Sequence, residues 1–164
     1  MKRMFSSLVL LFALSGCAYY SFSGSLPGHI KMAAVPLFQN ETTEIGLVEE
    51  LTNRVEKAVL DNGAMKITGE FQADAVINGT VVNVIDEADE FSRDEQAKQF
   101  RLRIIADVAF FDRIKNRIII EEKGIEGWAR YDASGGGGIS REEAKLQALD
   151  MLAKEIIDKT VTGW

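Results

Sequence analysis

Residues 100–110, FRLRIIADVAF, decide the fold. Phe100, Leu102, Ile104, Ala106, Val108 and Phe110 fall on one side of an extended chain, and Arg101, Arg103, Ile105, Asp107 and Ala109 on the other. A period of two with one apolar side is a strand whose one face meets a core and whose other face meets water, as in an antiparallel sheet. The following DRIKNR, Asp112 to Arg117, reads as a turn with basic residues. Ile118 to Ile120 then opens a strand running irregularly past Gly124 and Gly127 to Trp128 and Tyr131, so the two strands form a hairpin.

Upstream, Ala73 to Ile85 (ADAVINGTVVNVI) is rich in Val and Ile and reads as a strand, with Gly79 marking a bulge or a close backbone approach. Between the two strands, residues 86–95 (DEADEFSRDE) hold six acids and one Arg, which reads as an exposed hairpin connection. Ala64 to Thr68 is a short strand. Before it, Leu47, Val48, Leu51, Val55, Ala58 and Val59 recur at helical spacing, giving an amphipathic helix over 47–61 with Thr42 or Thr43 as its cap and Asn62-Gly63 as its stop. Residues 30–38 (IKMAAVPLF) are of strand length, with Pro36 arguing for an edge position or a strand end.

Downstream, Ser134 and Gly135 to Gly138 form a flexible break. Ser140 with Glu143 three residues on is a capping box. It opens a second helix whose apolar face uses Ala148, Leu149, Leu152 and Ile156, with Val161 its furthest candidate. Each helix has one apolar stripe and the sheet at least one apolar face. The expected fold class is therefore α+β: a single two-layer domain with two helices packed on a mostly antiparallel or mixed sheet of four to five strands. The first strand, the first helix and the next strand would form a right-handed crossover.

The chain has 164 residues, 46% hydrophobic and 27% charged, which fits one globular domain and excludes a disordered or fibrous chain. Lys and Arg number 19 against 25 Asp and Glu, a formal charge of −6, so nothing in the sum points to a nucleic-acid partner. One cysteine and one histidine exclude an intrachain disulfide and a zinc site built of several Cys and His.

The N-terminus is a secretory signal: Lys2 and Arg3, a short apolar run from Met4 to Leu14, then the small residues Ser15 and Gly16 before Cys17. The run is shorter than the roughly 20 apolar residues needed to span a bilayer. Leu14-Ser15-Gly16-Cys17 resembles the bacterial lipobox, in which the cysteine thiol receives a diacylglyceryl group before the leader is cut away. The alternative for Cys17 is a small buried apolar residue or an odd reactive thiol. The resemblance divides the chain into a leader (1–16), a lipidated tether (17–29) and a folded domain (30–164), with Cys17 the lipid attachment site. Ala18 follows the cysteine, where an Asp would signal inner-membrane retention by the best-known sorting rule; outer-membrane residence is expected. Without residues 1–16, 17 basic residues face 25 acidic ones, a charge of −8.

Few patterns carry chemistry. His29 follows Leu26-Pro27-Gly28 with no serine elbow to activate, and reads as a surface histidine beside a turn. Gly135 to Gly138 lacks the Lys-Ser/Thr of a phosphate loop. Asp74 and Asp107 would make an acid–base pair only if their strands were adjacent, and among 25 acids such pairs arise by chance. No catalytic residue, metal site or cofactor is assigned.

Charge distribution is more informative. Residues 98–117 carry Lys98, Arg101, Arg103, Arg113, Lys115 and Arg117 against Asp107 and Asp112, a local +4 in an acidic chain. Arg101 and Arg103 share a sheet face, where paired guanidiniums suit phosphate. The competing reading is that these cations blunt an exposed hairpin and compensate the acids at 86–95 across it.

Several segments together resemble the lipopolysaccharide-assembly lipoprotein family, LptE: the lipobox at Cys17, Tyr20-Ser21-Phe22-Ser23-Gly24, Leu26-Pro27-Gly28-His29-Ile30-Lys31, Val35-Pro36-Leu37-Phe38 leading to Asn40 and Thr42, Gly46-Leu47 with Leu51-Thr52, Ala73 to Val81, and the final Gly163-Trp164. The resemblance implies a non-enzymatic, lipid-anchored outer-membrane protein that plugs and helps assemble the β-barrel of its partner LptD, the two delivering lipopolysaccharide to the outer leaflet. Arg101, Arg103, Arg113, Lys115 and Arg117 are candidates for lipopolysaccharide contact from the charge arithmetic. Ile105 and Phe111, on the otherwise polar side of their strand, suit a contact surface. The second resemblance, to periplasmic accessory lipoproteins of curli secretion or penicillin-binding-protein activation, rests on a similar strand-helix-strand start.

Overall fold

The computed structural model describes residues 26–91, 97–132 and 138–162. Its backbone is a three-strand antiparallel meander of β4 (Ala75–Phe91), β5 (Ala97–Asp112) and β6 (Arg117–Asp132). Burial along β5 alternates strictly from Arg101 to Phe110. Leu102, Ile104, Ala106 and Phe110 are fully buried, each large side chain withdrawing enough apolar surface to contribute about 1.5–3 kcal/mol.

The acidic stretch is not a loop from its start. Strand β4 continues through Asp86 to Phe91, pairing Asp86 with Leu102, Glu87 with Arg101 and Ala88 with Phe100. Acids are poor strand formers in isolation, but opposite-charge cross-strand neighbours support them here. Strand β6 is one continuous strand with register shifts, and the irregularity near Gly124 has a local cause. Gly124, at φ 69°, donates its N–H to Asp107 Oδ1 at 2.8 Å, so that Asp107 fills the bulge.

Three short parallel strands complete the sheet: β1 (Met32–Ala34), β2 (Gln39–Asn40) and β3 (Lys66–Ile67). The order is β3-β1-β4-β5-β6, with β2 paired beside β1 on β4, so the sheet is mixed. The single strand expected over 30–38 is split. Strand β1 lies inside the sheet and stops before Pro36, which has no N–H to donate. Phe38 beyond it is buried with its ring against Gly79, where an added Cβ would lie 2.2 Å from the ring. That is the close approach the glycine announces.

Helices α1 (Leu47–Asn62) and α2 (Arg141–Ile157) pack together on one sheet face, where the main core lies. The expected threonine cap of α1 is absent, because the N-cap is Gly46 at φ 75° with no side-chain bond. Thr42 instead closes the preceding turn: its Oγ1 accepts from Glu44 N–H at 3.2 Å, and its own N–H donates to Asn40 Oδ1. Glu49 and Glu50 complement the helix dipole in the first turn, and Gly63 at φ 73° ends the helix. Thr52, buried in α1, donates to Val48 O and accepts from Phe38 N–H, pinning the segment after Pro36 to the helix.

The capping box of α2 forms as expected, Ser140 Oγ accepting from Glu143 N–H and Ser140 N–H donating to Glu143 Oε2. Ala144, Ala148, Leu149, Leu152 and Ile156 are buried, and Val161 follows in a π-turn over Asp158–Thr162. The helix backbone rides directly on Gly127, where a Cβ would lie 2.1 Å from Ala148 O. The fold is thus the expected α+β domain: two helices on one face of an open mixed sheet.

Candidate functional site

The face of β4–β6 turned away from the helices carries the charges singled out in the sequence. Arg103 holds Glu126 bidentately, Nε to Oε1 and Nη2 to Oε2 at 2.6 Å each, and gives Nη1 to Glu87 Oε1 at 3.0 Å. These carboxylates push the guanidinium pKa up, and Arg103 in turn holds the Glu126 carboxyl below its usual range. Arg101 donates to Asp89 at 2.6 Å, and Arg130 bonds the other oxygen of the same carboxylate. Both guanidiniums lie over the Trp128 ring, 5.0 and 5.5 Å from its centroid, within cation–π range. The acids at 86–89 therefore neutralise the arginines of β5, as the compensation reading expects.

Arg130 and Trp128 belong to this cluster although they fall outside the basic window of the sequence. Their signal is the same period of two: in the β6 register Arg130 faces Arg101 and Trp128 faces Arg103. Arg141 forms a second clamp, donating to Glu44 at 2.7 Å and Asp86 at 2.9 Å, while Tyr131 Oη donates to Asp86. Burial and that carboxylate push the Tyr131 phenol up. This clamp joins β4, the start of α2 and the loop before α1, a juxtaposition that only the tertiary fold creates.

The remaining candidates lie elsewhere. Arg113, Lys115 and Arg117 surround the β5–β6 turn, 12 residues along β5 from Arg101 to Arg113, or roughly 40 Å at strand rise. The five cations are not one site. Arg113 is fixed by the carbonyls of Glu70 and Ala73, whereas the Lys115 and Arg117 side chains have no partner among the described residues. Between and beside them Ile114 and Ile118 are exposed, as is Phe71 on the adjoining 3-10 turn (Glu70–Gln72).

His29 lies in its turn as expected, but its ring binds a fully buried carboxylate, Nε2 to Asp112 Oδ2 at 2.8 Å. Asp74 and Asp107 are not brought together. Asp74 caps the start of β1 by accepting from Lys31 and Met32 N–H groups, which lower its pKa, and Asp107 fills the β6 bulge. Cys17, Gly135–Gly137 and Gly163-Trp164 lie outside the described residues. Among the described residues no helix is long and apolar enough to cross a membrane.

An open mixed sheet carrying two helices on one face defines a class of small α+β domain found in bacterial proteins of diverse names. The fold is shared with a Xanthomonas campestris protein (TM-score 0.60, 11% identity, 85% of this chain and 91% of that one). It is also similar to a hypothetical protein of Chlamydia trachomatis (0.55, 12%, 79% and 95%) and a minor lipoprotein of Acinetobacter baumannii (0.52, 13%, 84% and 94%). No curated protein sequence matches the chain. Within that class the sequence is specific: residues 30–160 match the lipopolysaccharide-assembly family LptE, and the chain belongs to it. It is a family of non-enzymatic lipoproteins.

Proposed function

We propose that this protein is an outer-membrane lipoprotein, anchored through Cys17, that plugs the barrel of an LptD-type partner, assists its assembly and serves lipopolysaccharide insertion into the outer leaflet. The observation that carries this reading is the family match over 30–160, which covers the whole described fold except its first four residues and its last two. The architecture is compatible with a plug. One sheet face is occupied by helices, and the other presents a network of ion pairs, Arg103 with Glu87 and Glu126 and Arg101 with Asp89, with Ile105 and Phe111 half-buried on the same face, a surface suited to a barrel wall.

Lipopolysaccharide phosphates would meet the hairpin cations. Because the two groups are roughly 40 Å apart, one headgroup reaches one group only. The lipid-bearing tether joins the fold at the turn, through His29 and Asp112, so Arg101 and Arg103 form the group remote from the anchor. There a phosphate competes with Glu87, Asp89 and Glu126 for the guanidiniums, which makes contact dependent on salt. The test is depletion of the protein in its own cell. Surface lipopolysaccharide and the level of folded barrel are expected to fall together; unchanged levels of both would contradict the proposal.

A further inference from the structure

The turn end of the molecule has features that plugging does not use. Phe71 is 98% exposed, Ile114 59% and Ile118 53%, and all three stand where the 3-10 turn and the hairpin turn meet, locked together by Arg113 on the carbonyls of Glu70 and Ala73. Beside them Lys31, Lys66, Lys115 and Arg117 are exposed at the same end of the sheet, since β1, β3 and β4 start there and β5 ends there. Glu70 is exposed with them, the half-buried Asp74 accepts from Lys31 and Met32 N–H groups, and the buried Asp112 accepts from Lys115 N–H, so three acids face the five cations Lys31, Lys66, Arg113, Lys115 and Arg117. The helix ends behind bring Asp61 and Asp158 with Lys154 and Lys159, which leaves the excess of positive charge in place.

Exposed aromatic and aliphatic side chains set among cations are the signature of a surface that sits in a lipid headgroup layer. The chain path supplies the second argument. His29, bound to Asp112, fixes the start of the described fold against this end, with Leu26 three residues before it packed on the core, and eight residues lie between Leu26 and Cys17, a reach of at most roughly 30 Å. We propose that, before the domain enters its barrel, the β5–β6 turn, with Phe71 and Ile118, docks on the anionic phospholipid surface in which the Cys17 acyl chains are held, so that the sheet stands with Arg101 and Arg103 pointing away from that surface. This rests on the lipid anchor proposed above. The tether then holds the patch at high effective concentration against the bilayer, and the patch orients what the tether alone would leave free to tumble.

Two single-tryptophan chains test the docking: one with Phe71→Trp, Trp128→Phe and Trp164→Phe, the other with Trp164→Phe alone, leaving Trp128 far along β6 as the remote reporter. Both are prepared as full lipoproteins and reconstituted in vesicles of phosphatidylethanolamine and phosphatidylglycerol with brominated acyl chains. Flotation and intact mass report the anchor separately. The expected result is quenching of the tryptophan at 71 several-fold beyond that of Trp128, and loss of this difference when Ile114, Lys115 and Arg117 are all replaced by Glu. Equal quenching at both positions in a chain that floats overturns the docking and leaves the anchor standing. A chain that neither floats nor carries lipid overturns the anchor, and the same chain mixed with the vesicles then decides the docking: selective quenching at 71 upholds it, and none overturns it.

Discussion

His29 Nε2 and Asp112 Oδ2 meet at 2.8 Å across 83 residues of chain, and the Asp112 carboxylate is wholly buried. The pair ties the start of the described fold to the last residue of β5. Asp112 also accepts from Lys115 N–H at 3.0 Å, shaping the turn that follows. One side chain thus holds both His29 and the geometry of the cationic turn. Asp112→Ala leaves a half-buried imidazole and an amide unpaired, and is expected to cost about 2–4 kcal/mol. Thermal unfolding should report a loss of roughly 5–12 °C; a change under 2 °C would show that the pair is dispensable.

Acid should unfold the domain through the same carboxyl. Burial alone would raise the Asp112 pKa, but the Lys115 amide and His29 outweigh it and hold it below the ordinary 3.8. Asp74, under two backbone amides, and Glu126, under Arg103, are shifted the same way. A carboxyl with a depressed folded pKa contributes stability above its unfolded value, and that stability is lost as pH falls through the folded one. Urea midpoints are therefore expected to be level from neutral pH to about 5 and to decline below about 4. Asp74→Asn should lower the plateau and flatten the acid limb; an unchanged acid limb would refute its part.

Glycine contacts give a sharper packing test. Gly79→Ala forces a methyl into the Phe38 ring and Gly127→Ala forces one into Ala148 O and Leu152. Overpacking of this kind is expected to cost about 1–3 kcal/mol at each site. The Gly79 penalty should shrink in a Phe38→Leu background, whereas the Gly127 penalty should not, a difference that a double-mutant cycle in urea resolves.

The charged face should matter for binding more than for stability. Its arginines are partly exposed, and pairs of this kind contribute about 0–1 kcal/mol each. Arg101→Gln with Arg103→Gln is expected to leave the unfolding temperature within a few degrees while weakening lipopolysaccharide binding, and Lys57→Gln with Lys154→Gln on the helices should have little effect. Equal effects in a binding titration would remove the face from the account.

Much of this arrangement is legible in the residues. The alternation at 100–110 defines the central strand and its two faces, the helical spacing after Leu47 defines α1, and Ser140 with Glu143 marks the start of α2. What sequence reasoning misses has physical reasons. The helix start at Gly46 follows from a backbone conformation that no local polar motif marks, so Thr42 is a false cap. The acids at 86–91 look like a loop because their partners lie one strand away, and Arg130 and Arg141 join the site only through the register of β6 and the placement of α2. The five cations cluster in the sequence but part in space, since a strand of 16 residues separates its ends by about 50 Å.

The most direct measurement is purification of the native lipoprotein from gently solubilised cell envelopes. It is expected to bring down a large β-barrel protein in equal proportion, and the pair should bind lipopolysaccharide. Recovery of a stable monomer with no barrel partner would contradict the plug and favour an accessory lipoprotein of the periplasm.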